Sequence, residues 1–191
     1  MIPKIKTISE EIVRWGFEVQ VDRSPDWEVA FTNPTAGPWK RIMGVDNRGI
    51  SGEVHRFEIE EKRPDLVLYS DRFKTVVIIE AKTDLQGLGD EVQIPKTSKL
   101  FDRLSGVLQS KKLNKYWAQR ANYKYELGLL WGKKSETEEE IKKIAFKYVS
   151  LNSQLIEDIV CIQGDFVDEV LVHRIWWGKS KKEISLNRYQ S

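Results

Sequence analysis

The sequence is poor in the residues that build disulfides and the commonest metal sites. It has one cysteine, Cys161, and two histidines, His55 and His173, among 191 residues. A lone thiol forms neither an intrachain disulfide nor a cysteine zinc cluster. Two distant histidines without a partner pattern disfavour His-based metal nucleases and Ser-His-Asp hydrolases. No glycine-rich loop ending in Gly-Lys-Ser or Gly-Lys-Thr is present, which disfavours a P-loop NTPase.

Long hydrophobic runs are also absent. The longest aliphatic run covers residues 76–79, too short to span a bilayer, and no apolar targeting core follows Met1. We therefore expect a cytoplasmic protein without a membrane partner. The hydrophobic content of 40% and charged content of 31% are typical of a soluble globular protein, and 191 residues suit one domain. The net charge of +2 neither implies nor excludes a nucleic-acid partner.

Two short apolar runs, residues 63–69 and 75–82, predict a β-hairpin. They are rich in β-branched and large apolar residues, and Ser70-Asp71 lies between them as a turn. Side chains alternate across a strand, so Glu80 and Lys82 share a face. Pairing of the strands would bring Asp65 beside them. Such a charged cluster is unfavourable to bury unless it has a compensating partner, and a divalent metal would supply one.

Pro64-Asp65, fourteen intervening residues and Glu80-Ala81-Lys82 resemble the signature of the PD-(D/E)XK nuclease superfamily, which includes most type II restriction endonucleases. The resemblance implies that Asp65 and Glu80 hold Mg²⁺, with the backbone carbonyl of Ala81 as a third ligand. It implies that Lys82 positions or activates the attacking water. Glu-x-Lys also occurs at residues 60–62 and 140–142, but only the 64–82 copy has an apolar strand leading into each half.

Residues 5–15 predict an amphipathic helix that ends at Gly16, with Ile8, Ile12 and Trp15 on its apolar stripe. Glu11 falls on the same stripe, where a carboxylate is unusual without a cationic partner. The first helix of the resembled family commonly supplies an acid to the metal site, so Glu11 is the candidate fourth ligand. The alternative is a carboxylate at the edge of the stripe that reaches water.

Basic residues cluster in two parts of the chain. Residues 91–124 contain eight basic and two acidic residues, interleaved with aromatic residues. Lys99 and Arg103 fall on a helix predicted for residues 97–110, and Lys96 immediately precedes it. Lys40 and Arg41 lie in a Gly- and Pro-rich loop predicted for residues 32–52. Such clusters suit a phosphate backbone, although a solvated helix face gives the same pattern.

The order of the remaining elements favours an α/β fold. We expect short strands at residues 17–21, 27–31, 55–60 and 125–131, a helix opened by a capping box at Thr137, and a final strand at residues 167–177. This order predicts a single domain, residues 1–191, in which a central mixed β-sheet is flanked by helices in a restriction-endonuclease-like arrangement. The metal-site core would occupy about residues 5–131, and the C-terminal helix and strand residues 137–191.

Several functions fit these features. The leading hypothesis is a Mg²⁺-dependent endonuclease of the type II restriction kind that cuts double-stranded DNA, either as a homodimer or as the cleavage subunit beside a larger recognition or nicking subunit. A repair or junction-resolving nuclease would use the same residues. The third possible function is that of a non-catalytic nucleic-acid-binding protein in which the carboxylates are structural. Glu58 and Glu60 are further possible metal ligands, although a position on the solvated face of a strand explains them equally well.

Overall fold

Six strands form one mixed sheet. A computed structural model describes residues 9–32, 64–109, 115–132, 136–151, 159–167 and 170–177. The strands follow chain order across the sheet. They are β1 (Glu28–Thr32), β2 (Leu66–Ser70), β3 (Thr75–Lys82), β4 (Lys124–Gly132), β5 (Ile159–Val167) and β6 (Val170–Trp177).

The predicted hairpin is confirmed as β2 and β3, which pair antiparallel with Leu66 opposite Ile79. Strand β1 adds to β2 antiparallel, β3, β4 and β5 run parallel, and β6 returns antiparallel beside β5. The apolar composition of β2 and β3 follows from their position, because every residue of β2 and all but the last of β3 are buried.

Helices cover both faces of the sheet. They are α1 (Glu10–Asp22), α2 (Leu85–Leu88), α3 (Gln93–Gln109), α4 (Lys115–Ala118) and α5 (Glu138–Ser150). Alternate strand residues face α1 on one side, and the others face α2, α3 and α5. No helix in the described ranges is long and apolar enough to cross a membrane. The predicted α/β class with a mixed sheet flanked by helices is confirmed.

The phase and the end of the first helix were predicted wrongly. Helix α1 passes through Gly16 and includes residues 17–21, which were expected to be a strand. Its buried stripe is Val13, Phe17 and Val21, whereas Trp15 is 67% exposed. The predicted stripe and the observed stripe both have the three- or four-residue spacing of a helix face, so the periodicity of the sequence alone does not show which of them is buried. A glycine inside a helix costs only about 1 kcal/mol, which packing of the stripe offsets.

Other predictions had mixed outcomes. The strands expected at residues 27–31 and 125–131 are β1 and β4, and the Thr137 capping box opens α5. Helix α3 begins at Gln93 rather than near Thr97. The final strand expected at residues 167–177 is β6, which begins at Val170, and β5 before it was not predicted. Of the loop expected at residues 32–52, Thr32 ends β1 and the rest lies outside the described residues, as do the strand expected at residues 55–60 and its Glu58 and Glu60.

A buried arginine fixes the hairpin turn to the loop before β4. The Arg120 guanidinium donates to both carboxylate oxygens of Asp71, at 3.0 Å and 2.9 Å, and lies 3.8 Å from the centre of the Tyr69 ring. Tyr123 donates to the same carboxylate at 2.9 Å. Arg120 is only 3% exposed. A bidentate, stacked guanidinium of this kind holds the turn in one register.

Strand β4 approaches β3 closely at Gly128. A Cβ at Gly128 would lie 2.6 Å from the Ile79 Cγ1 atom and 2.9 Å from the Val77 Cγ1 atom. Both neighbours are buried and β-branched, so neither side chain yields easily. Glycine at this position therefore allows the core strand that carries Glu80 to pack against its neighbour.

We expect Gly128→Ala to lower the free energy of unfolding by about 1–3 kcal/mol, because the added methyl group overpacks the core. Gly106→Ala is the matched control. A Cβ at Gly106 on α3 meets nothing within 4 Å, so the same substitution should stabilise the helix by roughly 0.5–1 kcal/mol. Denaturant titration measures both changes. Equal effects of the two substitutions would contradict the close approach at Gly128.

Candidate active site at the carboxyl end of the third strand

The hairpin places Asp65 beside the end of β3. Asp65 immediately precedes β2, whose first residue, Leu66, pairs with Ile79, and the Asp65 N–H also donates to the Ile79 carbonyl, at 3.0 Å. The Asp65 Oδ2 atom accepts a 2.7 Å hydrogen bond from the Ala81 N–H. Strand pairing therefore brings both acids to the carboxyl end of β3.

Lys82 is the centre of the cluster. Its Nζ atom lies 2.8 Å from the Glu80 Oε1 atom, 2.6 Å from the Ala81 carbonyl oxygen and 3.4 Å from the Glu10 Oε2 atom. Glu80 is 1% exposed, and the Lys82 side chain is 23% exposed. Three oxygen atoms thus surround one cation at the edge of the buried core. The structure brings Asp65, Glu80 and Lys82 together, as the sequence predicts.

The acid that α1 brings to this cluster is Glu10, not Glu11. Glu11 is exposed, and no contact between Glu11 and the cluster is found among the described residues. The expected core-facing position of Glu11 is therefore wrong, because the buried face of α1 contains Val13 and Phe17 instead of Ile12 and Trp15. A sequence signal for the start of the helix exists. Ser9 is the N-cap, and its Oγ atom accepts from the Ile12 N–H, which makes Glu10 the first helical residue.

Gln93, at the start of α3, is a site residue that sequence reasoning missed. Its Nε2 atom donates to the Glu80 Oε1 atom at 2.9 Å and to the Thr97 Oγ1 atom at 2.7 Å. The missed signal was Asp90. Its side chain accepts from the Val92 and Gln93 N–H groups and caps the helix, which begins four residues earlier than expected. Thr97, expected as a possible cap, is a buried residue inside the helix.

The surrounding acids keep Lys82 protonated. Burial, the largest single influence, lowers the pKa of Lys82, but attraction to Glu80, Glu10 and Asp65 outweighs it and raises this pKa above its ordinary value of 10.5. Lys82 is therefore an ammonium at neutral pH, and it acts as a hydrogen-bond donor. The ion pairing stabilises the fold fully below pH 10.5, and this contribution is lost as the pH rises through the higher pKa of the folded state.

The donor set consists only of oxygen atoms and fits a hard divalent cation. Mg²⁺ takes one or two protein carboxylates and completes its shell with water and other oxygens, and Asp65, Glu80 and the Ala81 carbonyl match that demand. The ring of oxygens around the Lys82 ammonium shows that the cluster favours positive charge. No group of three or more His, Cys, Asp or Glu side chains placed to hold a metal is found among the described residues.

Only part of the predicted DNA-binding set can be placed. Lys96 and Lys99 are exposed on α3, which begins beside Glu80, whereas Lys40, Arg41 and the side chain of Arg103 lie outside the described residues. Other members of the basic stretch have structural roles. Arg120 is buried against Asp71, Lys124 pairs with Glu126 at 2.8 Å, and Trp117 is fully buried. Arg120 and Trp117 therefore belong to the core rather than to an exposed surface.

Comparison with known proteins gives no assignment. The sequence matches no protein-family model, and no curated protein and no solved structure matches the chain.

We expect Glu10→Gln to lower the pKa of Lys82 toward its ordinary value, because the substitution removes one of the negative charges that face the ammonium. Glu11→Gln is the control: it removes the adjacent, exposed charge and should leave this pKa almost unchanged. The ¹⁵Nζ chemical shift of Lys82, followed by NMR from pH 8 upward, measures the effect. A larger change from Glu11→Gln than from Glu10→Gln would contradict the observed phase of α1.

Proposed function

We propose that this chain is a Mg²⁺-dependent DNA endonuclease with a restriction-endonuclease-like fold and a PD-(D/E)XK active site. One observation carries the proposal: Glu80, the Ala81 carbonyl and Glu10 converge on a single ammonium, and Asp65 is hydrogen-bonded to the Ala81 N–H beside them. The motif residues, which lie fifteen positions apart in the chain, form one cluster. A chance match to the sequence motif would give no reason for these residues to lie together in space.

The architecture supports the same function. The cluster lies where the parallel strands β3 and β4 end, and ligands of open α/β sheets bind outside the carboxyl ends of the strands. Helix α1 supplies Glu10 from one face, and α3 supplies Gln93 from the other. The cluster thus lies at the carboxyl ends of central strands, where Lys82 and Glu10 are partly exposed while the Glu80 carboxylate is buried.

Each residue has a distinct task in the proposed reaction. Asp65, Glu80 and the Ala81 carbonyl would hold the metal, and Glu10 takes the supporting role that the sequence suggested for Glu11. When bound, Mg²⁺ would supply positive charge for the phosphate oxygens and favour deprotonation of a water molecule. Lys82, protonated and donating, would orient the attacking water and stabilise the negative charge that develops on the phosphate.

Exposed lysines on α3 are placed to contact the DNA backbone. Lys96 follows Gln93 by three residues, about one helical turn, and Lys99 follows by one turn more. Both side chains are exposed. Phosphate contacts position a duplex without reading its sequence, so these lysines would orient the DNA while the carboxylates act on one bond.

The direct test is incubation of the purified chain with phage DNA and Mg²⁺. We expect cleavage by the wild type and a loss of about a hundredfold or more in Asp65→Asn, Glu80→Gln and Lys82→Met, because each removes a ligand or a charge that acts on the transition state. Gel electrophoresis of the products measures the rate. Discrete fragments indicate sequence-specific cutting, whereas preference for branched substrates would indicate a junction-resolving enzyme of the same fold.

Glu126→Gln is the matched control for Glu80→Gln. Glu126 is also a buried acid paired with a lysine at 2.8 Å, but it lies near the beginning of β4, away from the cluster. We expect the Glu126→Gln variant to be less stable than the wild type but to retain DNA cleavage. If the wild type cuts no DNA with Mg²⁺ and the ion does not raise its melting temperature, the carboxylates are structural and the enzyme proposal is wrong.

The products from supercoiled plasmid report the number of active centres in the assembly. One active centre cuts one strand, so a homodimer should linearise the plasmid in a single encounter. A chain that serves as the cleavage subunit beside a larger partner should nick it or leave it uncut when alone. Size-exclusion chromatography of the same sample gives the oligomeric state. Linearisation by a monomer would contradict both arrangements.

A further inference from the structure

The Lys82 ammonium contacts the same oxygen atoms that the proposed metal would need. Its Nζ atom donates to the Ala81 carbonyl oxygen at 2.6 Å and lies 2.8 Å from the Glu80 Oε1 atom. Asp65 joins this pair of acceptors through the Ala81 N–H, which donates to the Asp65 Oδ2 atom at 2.7 Å. Two of the three groups that would hold Mg²⁺ are therefore already engaged by a cation of the chain itself.

The strand geometry makes this contact short and local. Glu80 and Lys82 are alternate residues of β3, so their side chains project to the same face. The lysine side chain folds back along its own strand, and its ammonium reaches the carbonyl of the preceding residue. In this position the ammonium compensates the charge of a carboxylate that is only 1% exposed.

An ammonium and a divalent cation do not share these two oxygens without strong repulsion. Mg²⁺ binds oxygen at about 2.0–2.1 Å, which is closer than the Lys82 Nζ atom lies to either acceptor. Like charges that share the same acceptors repel each other, and the repulsion is strong here because Glu80 is withdrawn from water. Occupation of these oxygens by one cation therefore disfavours occupation by the other.

We propose that Lys82 is a resident counter-ion that competes with the metal for the Glu80 carboxylate and the Ala81 carbonyl. In the metal-free protein the ammonium keeps the buried carboxylate paired. In the metal-bound protein the ammonium has left these two oxygens and is retained by Glu10, whose Oε2 atom lies 3.4 Å from Nζ. Glu10 thus supports the site through Lys82. The inference rests on the metal site of the proposed function.

Two features of the structure support an exchange of partners at Lys82. The side chains of Lys82 and Glu10 are 23% and 36% exposed, so both reach solvent, where a long side chain changes rotamer freely. Glu80 is held independently of the lysine, because its Oε1 atom also accepts from the Gln93 Nε2 group at 2.9 Å. The ammonium can therefore move toward Glu10 while the carboxylate stays in place.

The test is Mg²⁺ binding without DNA, measured by isothermal titration calorimetry at pH 8. An ammonium that occupies the oxygens in about nine molecules of ten lowers the apparent affinity for the metal about tenfold. We therefore expect Lys82→Met to bind Mg²⁺ about tenfold more tightly than the wild type, or more tightly still. Equal or weaker binding by Lys82→Met would overturn the competition.

Lys124→Met is the matched control. Lys124 also lies 2.8 Å from a buried glutamate two residues along its strand, Glu126, and its substitution removes the same charge. This pair lies near the beginning of β4, away from the cluster, so salt screens its effect on the metal. We expect the affinity of Lys124→Met for Mg²⁺ to differ from that of the wild type by no more than about twofold.

Glu10→Gln, titrated in both backgrounds, shows how Glu10 acts. If Glu10 retains the displaced ammonium, its substitution weakens Mg²⁺ binding more in the wild type than in Lys82→Met, which has no ammonium to retain. Equal losses in the two backgrounds would show that Glu10 acts on the metal without Lys82, and its role as the acceptor would be wrong.

A second measurement uses the wild type alone, because Lys82→Met leaves a buried carboxylate without its cation and should be less stable. The Lys82 ¹⁵Nζ signal is followed by NMR as Mg²⁺ is added. Release from Glu80 and Ala81 exposes the ammonium to water, so exchange of its protons with solvent should accelerate in step with metal binding. An exchange rate that stays unchanged at saturating Mg²⁺ would overturn the competition.

The outcomes separate this inference from the proposed function. If the wild type binds Mg²⁺ and cleaves DNA but Lys82→Met binds the ion no more tightly, the competition is wrong and the nuclease stands. If Lys82→Met gains affinity for Mg²⁺ but the wild type cleaves no DNA even at saturating Mg²⁺, the competition is supported and the enzyme proposal fails. If neither protein binds Mg²⁺, both are wrong.

Discussion

The site depends on burying the Glu80 carboxylate at the end of a core strand. An ionised carboxylate that is removed from water requires compensation by charge and hydrogen bonds, or it destabilises the fold by several kcal/mol. Here Lys82 supplies the charge at 2.8 Å and Gln93 supplies a hydrogen bond at 2.9 Å. Lys82 lies on the same strand as Glu80, but Gln93 comes from α3, so that helix must be packed against the strand before the carboxylate is fully compensated. Formation of the site therefore depends on formation of the fold.

The hairpin and the motif were predictable because the information is local. Each of β2 and β3 is an apolar run bounded by turn formers, and antiparallel pairing through a short turn leaves almost no choice of register. Placing Asp65 beside Glu80 needed only that register and the alternation of side chains. The capping box at Thr137 was likewise readable, since Thr137 and Glu140 contact each other three residues apart.

The contributions of the helices were not predictable from periodicity. On α1, stripes through Ile12 and through Val13 both have helical spacing, and the choice is made by contacts with a sheet that lies far away in the sequence. That one-residue difference moved the site acid from Glu11 to Glu10. Gln93 was missed because the start of α3 was placed at Thr97, a residue whose hydroxyl is buried in the interior. Polar residues that cap helices in sequence patterns also serve as buried partners, and only tertiary contacts distinguish the two uses.

The basic residues separate into two groups by their depth. Arg120 forms a clamp with Asp71 at the turn end of the hairpin, and its guanidinium is stacked and bidentate, which suits a fixed structural contact. Lys96 and Lys99 remain exposed near the other end, where α3 begins beside Glu80. A count of basic residues in the sequence does not distinguish the buried group from the exposed group, although only exposed cations can contact a phosphate.

The identity of the central cation follows from its surroundings. Three acceptors from two elements, the Glu80 and Glu10 carboxylates and the Ala81 carbonyl, lie 2.6–3.4 Å from one atom. A compact ammonium with three donors matches that arrangement, whereas the planar fork of an arginine would direct its donors at paired, coplanar oxygens. The same geometry explains why Lys82 is held as a donor rather than a base: its hydrogen-bond partners in the described part of the chain are acceptors, and the negative charge of Glu80, Glu10 and Asp65 raises its pKa. A residue in this environment stabilises negative charge beside it, which is the demand made by an attacking water and an anionic phosphate.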